Sequence, residues 1–115
     1  MPDYIYFLVD PAEGKRLCGG DYPLYLRLVR RLREDGSFNS LGAALKAANA
    51  RHAYLSAHSL KGLAAQLALP ALEHHAATLC DLLRVPGPET PHAADGEYAL
   101  LAQCYSETLD AIDRL

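Results

Sequence analysis

Apolar residues recurring every three or four positions, few β-branched side chains and mostly short connections predict an all-α chain, an antiparallel four-helix bundle with a short N-terminal helix. Its 115 residues suit one small domain over 1–115, with a lead-in over 1–20 and the bundle over 21–115. Tyr4 to Val9 is the one run with strand character. Standing alone, it is expected to pack as an irregular or helical lead-in. Asp10, Pro11 and Glu13 then mark a helix start: an N-cap, a first-turn proline, and a glutamate three residues after the cap. Gly19-Gly20 ends that helix.

Asp21 opens the next element, where Leu24, Tyr25, Leu28, Val29 and Leu32 keep the spacing of one buried stripe. Asp35-Gly36-Ser37 would ordinarily break it, yet Phe38, Leu41 and Leu45 continue the period. One long kinked helix over about 21 to 48 therefore competes with two shorter ones. A helix over Ala50 to Leu69 follows, then another from Pro70 through Leu72, Ala76, Leu79 and Leu83. Three prolines between Val85 and Pro91 predict a linker over about 85–94. The last helix is expected from about 95 to 115, with Leu100, Leu101, Cys104, Leu109 and Ile112 inward.

Eleven basic against fourteen acidic residues give a net charge of −3, which argues against nucleic acid as a partner. Arg27, Arg30, Arg31 and Arg33 are the one basic cluster, most simply a solvated face that could assist docking to an acidic partner. Three widely spaced cysteines, Cys18, Cys80 and Cys104, suggest neither a disulfide framework nor a zinc finger. No apolar run reaches the ~20 residues of a membrane helix, and Met1-Pro2-Asp3 lacks the basic start of a signal peptide. The expectation is a cytoplasmic protein without a membrane partner.

Placed on a helical wheel, Ala53, Ser56, Ala57, Leu60, Leu63, Ala64 and Leu67 cluster within roughly 60° of Leu60 and form the core stripe. His58 points the other way. Around it fall Arg51, Tyr54, Leu55, Lys61, Gly62, Ala65 and Leu69, and most of these are apolar where solvent would select charge. Such a patch suits a partner surface. Lys61, three residues after His58, can neutralise an anion carried on the imidazole. Gly62 costs a helix interior about 1 kcal/mol relative to alanine, and the missing side chain leaves room for another protein to approach the ring. Histidine fits a nucleophilic role because the neutral imidazole attacks well near pH 7 and its phosphoramidate stays reactive.

The run Ala57-His58-Ser59-Leu60-Lys61-Gly62 resembles the A-H-x-L-K-G signature of histidine-containing phosphotransfer (HPt) domains of bacterial phosphorelays. Upstream, Val9-Asp10 to Gly14, Leu17, Gly19-Gly20-Asp21 and Tyr25 look like that family's lead-in, and Asn49 stands where it often has an aspartate. Downstream, Leu72, Ala76 and Leu79 match the helix packed behind the histidine, so the similarity covers about residues 9 to 84, with the C-terminal helix as its expected extension. The resemblance implies that His58 accepts a phosphoryl group, at Nε2, from a receiver-domain aspartate and passes it reversibly to another. Lys61 would stabilise the phosphate and Gly62 would give clearance. Arg51, Tyr54, Leu55, Ala65 and Leu69 would meet the partner, with Arg84 matching a basic residue some members have near the phosphate. The partners implied are response-regulator receiver domains and a hybrid histidine kinase, met by a monomer with no cofactor of its own. Mg2+ would come from the receiver.

Two positions depart from the pattern. Cys80 replaces the glutamate or glutamine that often bonds the imidazole, and it is a poor orienting group. Ala68 replaces a frequent glycine and bears on helix termination. His52, His74, His75 and His92 read as ordinary histidines, and the spacing of His74, His75 and Cys80 does not suit a shared metal ion. Two other readings compete with phosphotransfer: a non-transferring adaptor that sequesters a response regulator through the same face, and a cofactor-binding bundle.

Overall fold

The computed structural model describes residues 7–115, and every regular element among them is helical. Six α-helices lie wholly among the described residues, in order α1 (Pro11–Leu17), α2 (Tyr22–Val29), α3 (Ser37–Lys46), α4 (Ala50–Gln66), α5 (Pro70–Arg84) and α6 (Thr90–Asp113), with a 3-10 segment (Arg30–Glu34) between α2 and α3. Of the run with strand character, Tyr4, Ile5 and Tyr6 lie outside the described residues, whereas Phe7 and Leu8 are helical. No helix of the described residues is long and apolar enough to cross a membrane.

Local side-chain chemistry sets the helix starts. The Glu13 amide donates to Asp10 Oδ1 at 3.1 Å, that of Leu24 to Asp21 Oδ1 at 3.0 Å, and that of His52 to Asn49 Oδ1 at 3.0 Å. Between α2 and α3 the chain forms two helices, because Asp35 leaves the helical region (ψ 135°) and its carboxylate caps Ser37 at 2.8 Å.

Packing places α4 between α3 and α5, while α6 closes against α5, α3 and the 3-10 segment. Val9, Tyr25, Val29, Leu32, Leu41, Leu60, Leu72, Leu79 and Leu101 are all essentially inaccessible and make one core. Phe38 of α3 stacks on Tyr105 of α6, their ring centroids 4.1 Å apart. At the chain's end, Arg33 pairs with Asp113 at 3.0 Å and Arg30 donates to the Leu115 carbonyl at 3.3 Å, so two of the four clustered arginines face α6.

Several expectations need correction. Helix α4 stops at Gln66, three residues early, because Ala68 takes a left-handed conformation (φ 57°) and the Leu69 amide reaches back to the Ala64 carbonyl at 2.9 Å. That closing turn carries Leu69 into the core at 0% exposure, away from the outward face to which a continuous helix would assign it. Helix α6 begins at Thr90, so the connection is 85–89; Pro91 sits in the first turn, where a missing amide costs nothing. Leu100 is 55% exposed because the α6 seam runs through Ala94, Leu101, Cys104, Thr108 and Ala111, one residue and about 100° away. Leu28, 38% exposed, is likewise displaced from the α2 seam of Tyr25, Val29 and Leu32.

The lead-in is keyed to the turn after α4. The buried Tyr25 hydroxyl donates to the Leu67 carbonyl at 2.7 Å, and the Asp10 amide donates to the Ala68 carbonyl at 2.9 Å. Burial pushes the Tyr25 phenol well above its ordinary range. Gly14 makes room for this arrangement, since a Cβ there would run into the Tyr25 ring. Gly14→Ala is therefore expected to destabilise the fold by about 1–3 kcal/mol in a urea titration, the range for overpacking a filled core.

Candidate functional site

Helix α4 is asymmetric by composition. Ala53, Ala57, Leu60 and Ala64 are 0% exposed along its inner stripe and Ser56 is buried beside them, while Leu63 is only partly covered. Three alanines at that seam let the neighbouring helices approach closely. With the back of the helix sealed in this way, His58 stands on the opposite side, exposed.

Most residues assigned to the outward face are found there. Arg51, Leu55, Gly62 and Ala65 are exposed, Tyr54 and Lys61 are half-buried, and Leu69 is the exception already described. Leu55 is 47% exposed, a sizeable apolar side chain next to the histidine on the helix surface. Arg51 and Tyr54 of α4 line a shallow crevice with Leu83 and Arg84 of α5 and Pro86. Arg84 is not an isolated cation: its guanidinium lies 3.1 Å from Asp81, one turn earlier.

Two features were not legible from residue types alone. The Tyr54 ring stacks on the His58 ring, with centroids 6.0 Å apart and planes 17° from parallel. The signal for this was present in the spacing, since residues four apart share a helix face. Cys80 is the second: it is 1% exposed, its thiol is pushed up by burial, and Lys61 is the leading influence in the opposite direction. A neutral thiol bonds weakly as donor or acceptor. Among the described residues no side-chain hydrogen bond reaches the His58 ring.

The glycines show what the site leaves open. A Cβ on Gly42 would come within 2.6 Å of the Tyr98 hydroxyl, and one on Gly14 would strike Tyr25, so packing accounts for both. At Gly62 a Cβ would meet nothing within 4 Å. The chain's own packing gives no reason for glycine there, one turn beyond the exposed histidine. What the arrangement offers chemically is a nucleophilic ring on a rigid helix, an ammonium three residues on, and uncovered space beside both. Among the described residues no cluster of three or more His, Cys, Asp or Glu is arranged to hold a metal ion; His75 faces Glu97 instead, at 3.0 Å.

The family model described as Hpt domain matches residues 27–115. The match takes in α6 and begins at Arg27, so the lead-in over 9–26 lies outside it. No curated protein and no solved structure matches the chain. Because Gly62 occupies open space, Gly62→Ala is expected to raise stability by about 0.5–1 kcal/mol in urea titration, opposite in sign to Gly14→Ala.

Proposed function

The chain belongs to the Hpt domain family, and from that premise we propose a phosphorelay intermediate whose His58 takes a phosphoryl group from one receiver-domain aspartate and gives it reversibly to another. Membership itself implies a phosphotransfer role in two-component signalling, with receiver domains and kinases as the interacting partners. The observation that carries the finer reading is the combination on α4 of an exposed His58, Lys61 three residues on and Gly62 four residues on with open space at its Cβ position; His92 and Gly96 repeat the histidine–glycine spacing on α6, but Asp95 stands where the ammonium would be.

In the proposed step, a lone pair on the His58 imidazole attacks phosphorus in the receiver's aspartyl phosphate. A nitrogen–phosphorus bond forms, the phosphorus–oxygen bond to aspartate breaks, and the carboxylate leaves with the electron pair. The reverse step returns the group to a second aspartate. Lys61 offsets the phosphoryl charge, and Gly62 admits the receiver's backbone. Arg51, Tyr54, Leu55 and Ala65 meet the receiver, joined at the crevice by Arg84. The receiver brings Mg2+ and the catalytic carboxylates, and this chain supplies a nucleophile, a charge and a docking face. The same reading takes residues 1–115 as one cytoplasmic, monomeric unit whose long helices run antiparallel in a four-helix bundle, supported by the short connections at 47–49 and 67–69.

Incubation with a phosphorylated receiver and Mg2+ is expected to place an acid-labile, alkali-stable label on the wild-type chain and none on His58→Gln. Equal label on both would sink the assignment. Gly62→Glu is expected to keep its far-UV helicity while transfer falls to background. If a response regulator binds His58→Ala as well as wild type and no phosphohistidine forms, the chain is an adaptor; loss of that binding in Leu55→Glu or Ala65→Glu would map its surface.

A further inference from the structure

An imidazole is free to turn about two side-chain torsions, the second of them broad, so an exposed histidine does not by itself present one nitrogen outward. Within α4 the side chains able to reach His58 are those three and four residues away: Tyr54, Leu55, Lys61 and Gly62. Gly62 has none to offer. Lys61 can only donate and repels the protonated ring. Leu55 carries no polar atom and is 47% exposed, so little holds it in place. From α5, Cys80 is buried as a neutral thiol.

Tyr54 differs from all of these. Its ring lies nearly parallel to the imidazole, at a centroid distance of 6.0 Å, within the range of an offset aromatic stack. It is itself immobilised, half-buried and packed against the hydrophobic core. Together with Arg84 of α5 it lines a shallow crevice beside the site, and Arg84 is itself paired with Asp81 at 3.1 Å.

We infer that Tyr54 is a positioning residue for His58: its ring, braced by the core, fixes one face of the imidazole and leaves the Gly62 side open to the incoming phosphoryl group. This rests on His58 being the phosphoacceptor. The aromatic stack takes over the orienting task that a hydrogen-bonding side chain at position 80 would perform. Tyr54 does not touch the phosphoryl group; whatever surface it also offers the receiver, it acts on the transfer step through the orientation of His58.

Two substitutions, each checked for unchanged helicity, test the inference. In Tyr54→Leu, 13C relaxation at the His58 ring is expected to show a lower order parameter. Transfer at saturating phosphorylated receiver, where any loss of docking affinity no longer counts, is expected to slow by about three- to tenfold, the worth of an aromatic pair. Tyr54→Phe, which keeps the stack, should restore both. If Tyr54→Leu weakens receiver binding but leaves the ring order and the saturating rate at wild-type values, Tyr54 is a docking residue and the positioning role is overturned. If wild-type His58 never takes label, the phosphoacceptor reading itself fails, whatever Tyr54→Leu does to the ring.

Discussion

The fold depends above all on the close approach of neighbouring helices to the alanine stripe of α4. With Ala53, Ala57 and Ala64 fully buried beside Leu60, the helix commits one face to the core over its whole length and cannot roll without exposing it. The direction of His58 follows from that commitment. The far end of α4 is fixed as well, by the left-handed turn at Ala68 and by two long-range hydrogen bonds to the Leu67 and Ala68 carbonyls. The donors are the Asp10 amide ahead of α1 and the Tyr25 hydroxyl of α2, so the N-terminal segments brace the helix that carries the site.

A nucleophile that must be met by another protein needs rigidity behind it and vacancy in front. The glycines divide along that line. Gly14 and Gly42 are required by rings or hydroxyls pressed against them, whereas Gly62, like Gly96 of α6, is bounded by nothing, and Gly62 alone of those two stands beside a lysine and a histidine on one face. Tyr54 belongs to both sides of the division, packed on the core at one edge and stacked on the histidine at its face. Cys80 of α5, buried and with its thiol pushed up by that burial, adds little polar character.

Much of the fold was legible because its determinants are local. Asp10, Asp21 and Asn49 each cap the helix that follows through their own side chains, which short-range sequence reports directly. The inner stripe of α4 was legible for a related reason: the buried positions keep one phase from Ala53 to Ala64. Where the phase is cut, reading failed. Leu69 was projected outward along a helix that had already ended, and Leu100 was assigned inward although the α6 seam passes through its neighbour Leu101. Pro91 suggested a linker, yet it serves as a first-turn residue, since a proline's missing amide is harmless in either setting.

By itself the sequence determined the all-helical class, the starts of α1, α2, α4 and α5 and the juxtaposition of His58, Lys61 and Gly62 on one surface, because spacing of three and four residues along a helix is geometry that no tertiary contact alters. Tertiary structure decided which conformations end the helices, whether residues 21–48 make one helix or two, and which groups surround the imidazole from outside its own turn. Those outcomes rest on energies distributed between segments far apart in the chain. The bond from Tyr25 to Leu67, the crevice that Arg84 lines with Tyr54 and the burial of Cys80 arise only when α2, α4 and α5 have packed together.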